Sequence, residues 1–479
     1  MLNLKNKELF LERSFINGQF IDSTDKIDVF NPANGQKIGQ IPDLGATETK
    51  DAIEAAQLAF EKWRKLTGKE RAKLLRNWFD LIIKNIDDLS LILTTEQGKP
   101  LHEATGEIKY GANFVEFYAE EAKRIKGEVL LAPEKNQKII TELVPVGVVG
   151  AITPWNFPSA MITRKVAPAL AAGCVVVLKP SELTPFCALA LAYLAKKAGI
   201  PDGVFNVVTG RPQEIGKELC SNFNVRKLSF TGSTKIGKFL NEQCANDLKK
   251  MSLELGGNAP FIVCKDANLD IAVKSLMHAK FRNSGQACTC VNRILLDEEI
   301  HDEFVEKLLN ETKKLKIGDG TQSNIDIGPM ITKEAKEKVE NLTNEAIQNG
   351  AKVEYGNNKD QGQFFTPTIL SNVNNNMQIA KTEIFGAVAA IQKFKNIDEA
   401  IKIANDTNYG LGSYLYSENQ STIFKISDEL QFGMVAINHD SFATELAPFG
   451  GIKHSGFGLE GSHLGIEEFC NVKTLHIKY

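Results

Sequence analysis

Histidine is scarce: there are seven in 479 residues, and none belongs to an HExxH or similar ligand set, which disfavours a metal enzyme. The eight cysteines form no CxxC pair and no regular spacing, the pattern of reduced thiols in a cytoplasmic protein rather than of a disulfide scaffold. Long apolar runs are missing too. The longest, Val166 to Leu178, is too short to span a bilayer and contains Pro168 and Gly173, so no membrane association is expected. The amino terminus lacks the apolar core of a secretory signal. Neither sign of charge dominates: 56 Lys and Arg stand against 59 Asp and Glu, so no global field draws in nucleic acid. Internal repeats and low-complexity tracts are also absent.

What is present is a long chain with alternating patterns. Ala52, Ile53, Ala56, Phe60 and Trp63, then Leu75, Trp78, Phe79, Ile82 and Ile86, recur at helical spacing. From Val146 short apolar strands alternate with helices: VGVVGAI (146–152), a helix from Ser159 to Ala172, CVVVL (174–178), a helix with Thr184 as its cap and Pro185 at its first position, VFNVV (204–208), a helix near 212–220, KLSF (227–230) and a helix from Thr234. That alternation predicts a parallel, doubly wound sheet, with ligands at the carboxyl ends of its strands. A second α/β domain is predicted from APFIVC (259–264), NRILLD (292–297), AVAAIQKF (387–394), GSYLYS (412–417) and GMVAIN (433–438). Two stretches, 127–146 and the tail 467–479, read as extended strands with no covering helix, either pairing subunits or forming a flap on the same chain.

Two motifs mislead. GFGLEG (456–461) matches a dinucleotide fingerprint but has no room after it for the strand–helix–strand unit, so it reads as a glycine-rich loop. GSTKIGK (232–238) nearly matches a P-loop, yet Phe239 stands where a magnesium-binding Ser or Thr is needed. What remains there is a strand, a glycine turn and a helix amino terminus, a geometry that offers N–H groups to an anion such as a pyrophosphate.

Chemistry concentrates in five segments. FRNSGQACTC (281–290) puts Cys288 after a Gly-Gln turn among polar residues, unlike a core cysteine. LELGG (253–257), with Glu254 thirty-four residues before Cys288, places a carboxylate between leucines, where its pKa rises toward that of a general base. TPWNFP (153–158) ends the first strand of the sheet and offers the Asn156 amide to an oxyanion. LKPSE (178–182) follows the next strand, where a cofactor ribose would lie, and EIFG (383–386) precedes a strand of the second domain.

Together these segments, with FTGS (230–233), resemble the NAD(P)-dependent aldehyde dehydrogenase superfamily, in order and spacing over nearly the whole chain from INGQF (16–20) onward. MITRKVAPALAAGC (161–174), LSFTGSTKIG (228–237), KFRNSGQACTC (280–290) and APFGGIKHSG (447–456) look most like its succinate-semialdehyde dehydrogenase subgroup. The resemblance implies an α/β aldehyde dehydrogenase fold. It has a Rossmann-like cofactor domain (1–126 and 146–253), a catalytic domain (254–457) and oligomerisation strands (127–145 and 458–479). It also implies a homodimer or homotetramer.

Chemically, the resemblance implies Cys288 as nucleophile, Asn156 with the Cys288 N–H as oxyanion donors, and Glu254 as the base that hydrolyses a thioester. The implied cofactor site comprises Trp155, Asn156, Lys179, Pro180, Ser181, Glu182, Gly232, Ser233, Leu255, Glu383 and Phe385. Glu182 would repel a 2′-phosphate, so NAD is expected to be preferred, with NADP still usable. Arg164 and Arg282 would hold the carboxylate of succinate semialdehyde, with glutarate semialdehyde the near alternative. Ala443 stands where the subgroup often has a serine, and Ala387 where the family commonly has proline. Cys290, two residues beyond Cys288, is either a reversible disulfide partner or an inert neighbour. A cysteine esterase using Cys288 and Glu254 without a nucleotide is the rival class.

Overall fold

The computed structural model describes residues 2–357 and 362–479; Met1 and 358–361, which fall inside the two expected α/β domains, lie outside them. Two sheets organise the chain. The first has eight strands, and its centre is five parallel ones in the order Lys250–Glu254, Val225–Thr231, Val148–Ile152, Val175–Lys179 and Phe205–Val207. Val148–Ile152 comes first in the chain, and its successors lie on both sides of it, so the strand order reverses there. Such a reversal opens a crevice at the carboxyl ends of the strands. The apolar strands Val148–Ile152 and Val175–Lys179 at the centre are buried along nearly their whole length because helices cover both faces.

The second sheet runs in the order Lys352–Tyr355, Thr368–Ser371, Val388–Phe394, Val291–Asp297, Ala259–Val263, Gly412–Tyr416 and Met434–Ile437. All its pairs are parallel except the first. Each sheet has its own large apolar core.

The two stretches without covering helices pair with each other. Cys470–Lys478 runs antiparallel to Gln137–Pro145 over its whole length, Cys470 opposite Pro145 and Lys478 opposite Gln137, and Glu128–Leu131 adds a third strand. This small sheet leaves Val129, Leu131, Val472 and Tyr479 largely exposed. No described helix is long and apolar enough to cross a membrane.

Several features escaped the sequence patterns, among them the fifth parallel strand Lys250–Glu254, the strands Lys352–Tyr355 and Thr368–Ser371 of the second sheet, and the hairpin of Lys26–Phe30 with Lys37–Pro42. Ser14–Ile16, antiparallel to Phe205–Val207, and Gln19–Ile21, antiparallel to Ser14–Ile16, extend one edge of the first sheet. Gly456–Phe457 returns from the second half of the chain to pair with Lys250–Glu254. Thr184 does not cap the helix Phe186–Lys197, since its hydroxyl is buried without a partner among the described residues. The buried Glu96 carboxylate does so instead, accepting from the N–H groups of Phe186 (2.7 Å) and Cys187 (3.0 Å). A charge from a distant helix satisfies more of the orphan donors than one hydroxyl could.

Candidate active site

The carboxyl ends of the central strands deliver the first group of side chains. Ile152 lies opposite both Lys179 and Phe230, and Thr231 opposite Glu254, so the segments that follow these strands emerge side by side. After Ile152 come Trp155 and Asn156; after Lys179 come Pro180, Ser181 and Glu182; after Thr231 come Gly232 and Ser233. Ser233 is the N-cap of the helix Thr234–Ala245, its hydroxyl accepting from Ile236 N–H. That helix packs tightly on LELGG: a Cβ at Gly237 would lie 2.4 Å from a Leu255 methyl.

Lys179 Nζ is 2.6 Å from Glu182 Oε2, with the lysine buried and the carboxylate about one-third exposed. Glu383, from the second domain, reaches across to accept from Gly257 N–H at 2.9 Å, and burial pushes its carboxyl up to about 7. Phe385 has a left-handed backbone (φ 58°) and sets its ring edge-on to Trp155, with centroids 5.6 Å apart. These groups fit a dinucleotide: a helix amino terminus for a pyrophosphate, a charged pair at a strand end for a ribose, and an aromatic wall at the inner end.

The second domain delivers Cys288. The loop before it is tightly wound, with Asn283, Ser284 and Gly285 consecutively left-handed. A side chain at Gly285 would add a collision to its positive φ, because a Cβ there would meet Gly386 O at 2.3 Å. Gly257 of LELGG is equally constrained by close approach, its would-be Cβ lying 2.3 Å from Cys288 O. The two glycine contacts press the cysteine loop against the segments that carry Glu254 and Glu383.

Cys288 is partly exposed and opens into a cavity of about 540 Å³. Burial pushes its thiol up to about 12, against the opposing pull of Arg164 and Arg282. Glu254 is buried, and neither carboxylate oxygen has a hydrogen-bond partner among the described residues. Desolvation first, then the neighbouring Glu460, hold its pKa well above the ordinary value. Asn156 donates its amide to Gln286 O at 3.1 Å, which ties it to the turn before Cys288.

The two arginines separate. Both line the cavity. Arg282 lies over the Phe157 ring and makes no ion pair among the described residues. Arg164 lies over the Phe449 ring, with its Nη2 2.7 Å from Glu460 Oε2. Its charge is therefore already matched inside the protein, as for an internal ion-pair partner rather than a residue free to hold substrate. Glu460 belongs to the GFGLEG loop and also pairs with Lys165. Burial raises its carboxyl, but Lys165 and Arg164 outweigh this and hold it below the usual range. Only its position between glycines, in a segment read as a mere loop, could have marked it. The sequence reading also passed over Lys99, Glu103, Glu107 and Asn283, which pack beneath Asn156.

Cys290 is buried, and its thiol donates to Lys280 O at 3.4 Å; Cys288 and Cys290 are both free thiols.

The model of the aldehyde dehydrogenase family matches residues 20–475. The chain is 51% identical over 480 residues to a succinate-semialdehyde dehydrogenase [NADP(+)] of Escherichia coli, covering 99% of this chain and 100% of that protein. It is equally, 51%, identical to a glutarate-semialdehyde dehydrogenase of Pseudomonas putida, again over 99% of this chain and 100% of that one. A crystal structure of aldehyde dehydrogenase from Brucella melitensis biovar abortus superposes with a TM-score of 0.99 at 50% identity, each chain fully covered. With the family model matching nearly the whole chain and relatives 51% identical along it, the chain belongs to the aldehyde dehydrogenase family.

Proposed function

We propose that the chain oxidises succinate semialdehyde to succinate with NAD(P)+, by way of a thioester on Cys288. One observation carries this reading: Cys288 opens into a cavity walled by an unpaired Arg282, with the unpartnered Glu254 nearby. The Cys288 thiol gives up its proton to solvent in the cavity, and the thiolate attacks the aldehyde carbon, opening the C=O double bond to the oxyanion of a thiohemiacetal. The Asn156 amide and the Cys288 N–H hold its oxyanion, which is where negative charge develops. A nicotinamide dinucleotide held by Lys179, Glu182, Ser233 and Glu383 would supply the hydride acceptor, and loss of hydride from the thiohemiacetal carbon leaves the acyl group on sulfur as a thioester. Glu254 takes a proton from a water that attacks the thioester carbon; the acid departs, and the thiol is restored.

Arg282 pairs with the distal carboxylate of the substrate, and Arg164, neutralised by Glu460, shapes the wall more than it attracts charge. Glutarate semialdehyde remains the second reading, because the Pseudomonas putida relative is as similar as the Escherichia coli one and one methylene discriminates by only about 10–200-fold. NAD is the preferred acceptor in this reading. Lys179 is engaged by Glu182, so a 2′-phosphate would meet a neutral pair with a carboxylate at its outer edge. The exposed apolar residues of the three-stranded sheet support a homodimer or homotetramer, and the free cysteines a cytoplasmic setting.

The test is a panel of aldehydes with and without a terminal carboxylate, followed by NADH and NADPH formation. The expected result is a kcat/KM for succinate semialdehyde about ten- to hundredfold above that for butanal, and higher with NAD+ than with NADP+. Equal values for the two aldehydes would sink the carboxylate reading, and higher values with NADP+ the cofactor preference.

A further inference from the structure

Beneath the site lies a buried ion pair that none of the roles above uses. Lys99 joins the helices Ile86–Gln97 and Leu101–Glu121, and its side chain has no exposure. Its ammonium has three partners: Glu107 Oε2 at 2.5 Å, Asn156 O at 2.8 Å and the face of the Phe157 ring at 3.8 Å. The other oxygen of Glu107 accepts from Ser159 N–H at 2.9 Å and Ala160 N–H at 3.3 Å, the start of the helix Ala160–Ala172. The pair thus grips the Asn156 turn from both ends.

The same turn is tied to the cysteine loop. Asn283 Nδ2 donates to Asn156 O (3.0 Å) and to Gln286 O (3.1 Å), and Asn156 Nδ2 donates to that same Gln286 O. Asn283 N–H in turn donates to Glu103 Oε2 at 2.8 Å. Two carbonyls, Asn156 O and Gln286 O, are therefore the joints between the two segments, and Lys99 fixes the first.

Stability alone gives little reason for such a pair, since apolar residues of similar volume commonly replace a buried ion pair without loss. Position gives one. A displacement of about 1 Å in a reacting group can cost about a hundredfold in rate. We propose that Lys99 and Glu107 are positioning residues that set the Asn156 amide against the Cys288 turn before substrate arrives. This rests on the reading of Asn156 and the Cys288 N–H as oxyanion donors.

The test compares two reactions of Cys288 in the full-length enzyme. Acylation by p-nitrophenyl acetate, read as the burst, passes through an oxyanion; alkylation by iodoacetamide does not. In Lys99→Met and in the double variant Lys99→Met/Glu107→Leu, which leaves no unpaired charge if the single variant fails to fold, acylation should slow about 10–100-fold. Alkylation, and the KM for the aldehyde, should stay within about threefold. Glu107→Gln, which keeps volume and acceptor, should fall between these variants and wild type. Unchanged acylation in the double variant, or parallel loss of acylation and alkylation, overturns the inference. Asn156→Ala separates the two readings. If it leaves acylation intact, the oxyanion reading itself fails; if it slows acylation while the Lys99 variants do not, only the positioning inference fails.

Discussion

The floor of the site and the chamber above it are both buried and both rich in charge, yet they are satisfied to opposite degrees. In the floor, every direction of the Lys99 ammonium is filled, and both oxygens of Glu107 accept hydrogen bonds. Around the chamber, both oxygens of Glu254 and the Asn156 Oδ1 have no partner among the described residues, and burial pushes the Cys288 thiol up to about 12. Unsatisfied buried groups cost stability, so where they persist beside a cavity they are groups whose partners arrive with substrate or water. Glu254 and Glu460 make the same contrast between two carboxyls. Burial raises both, but Arg164 and Lys165 pull Glu460 down while Glu254 stays protonated to a higher pH.

The largest effect should come from the chamber. Glu254→Gln should cut steady-state turnover about 10²–10³-fold through the hydrolytic step, while an initial burst of NADH survives, because acylation does not use the carboxylate as its base. Stopped-flow absorbance at 340 nm reads this directly, and loss of the burst together with turnover would mean that Glu254 acts before the thioester forms.

Next come the arginines. Arg282→Ala should raise KM for succinate semialdehyde about ten- to hundredfold, as expected for a lost charge-assisted hydrogen bond. An uncharged aldehyde should be little affected. Arg164→Ala should act on both substrates alike, because its main partner is Glu460. A selective loss in Arg164→Ala would show that the substrate displaces Glu460 from it.

The pH dependence of the chamber comes next. With the Cys288 thiol pushed up to about 12, its ionised fraction rises about tenfold per pH unit below that value. Alkylation by iodoacetamide in the free enzyme should therefore climb steadily from pH 6 to 9. A plateau near pH 7 would mean that the cations beside Cys288 outweigh its burial.

The smallest effect belongs to the satisfied side of the comparison. Glu96 titrates at about 7 in the folded protein, against an ordinary value near 4.5. The folded state thus holds a proton that the unfolded state releases between those two values, and stability falls as pH rises through this window, by about 3 kcal/mol at most. Glu96→Gln should flatten that part of the dependence of Tm on pH. An unchanged slope would show that the two N–H donors at the helix end keep Glu96 ionised.

Much of this was legible in the residues. The alternation of short apolar runs with helical spacing marked the central strands, because a strand buried on both faces must be apolar throughout. Cys288, Glu254 and Asn156 stood out because their neighbours are wrong for the core roles these residues usually play. Glu460 did not stand out. Its significance comes from Arg164 and Lys165, nearly three hundred residues away in the chain, and no local pattern encodes a partner at that distance. Thr184 was misjudged for the same reason: a local hydroxyl looks like a cap until a carboxylate from another helix occupies the place. The edge strands were missed because a pairing such as Gly456–Phe457 with Lys250–Glu254 is too short to carry a period.

By itself the sequence determined most of the helices and central strands, the parallel character of the central sheet and the family. These depend on local spacing and on the chemistry of single side chains. Only the tertiary structure decided which charges are paired: Arg164 is bound to Glu460, Lys179 to Glu182 and Lys99 is locked beneath Asn156, while Arg282 makes no ion pair among the described residues. The reason is physical. A charge acts through its distance to other charges and to water, and the fold sets those distances.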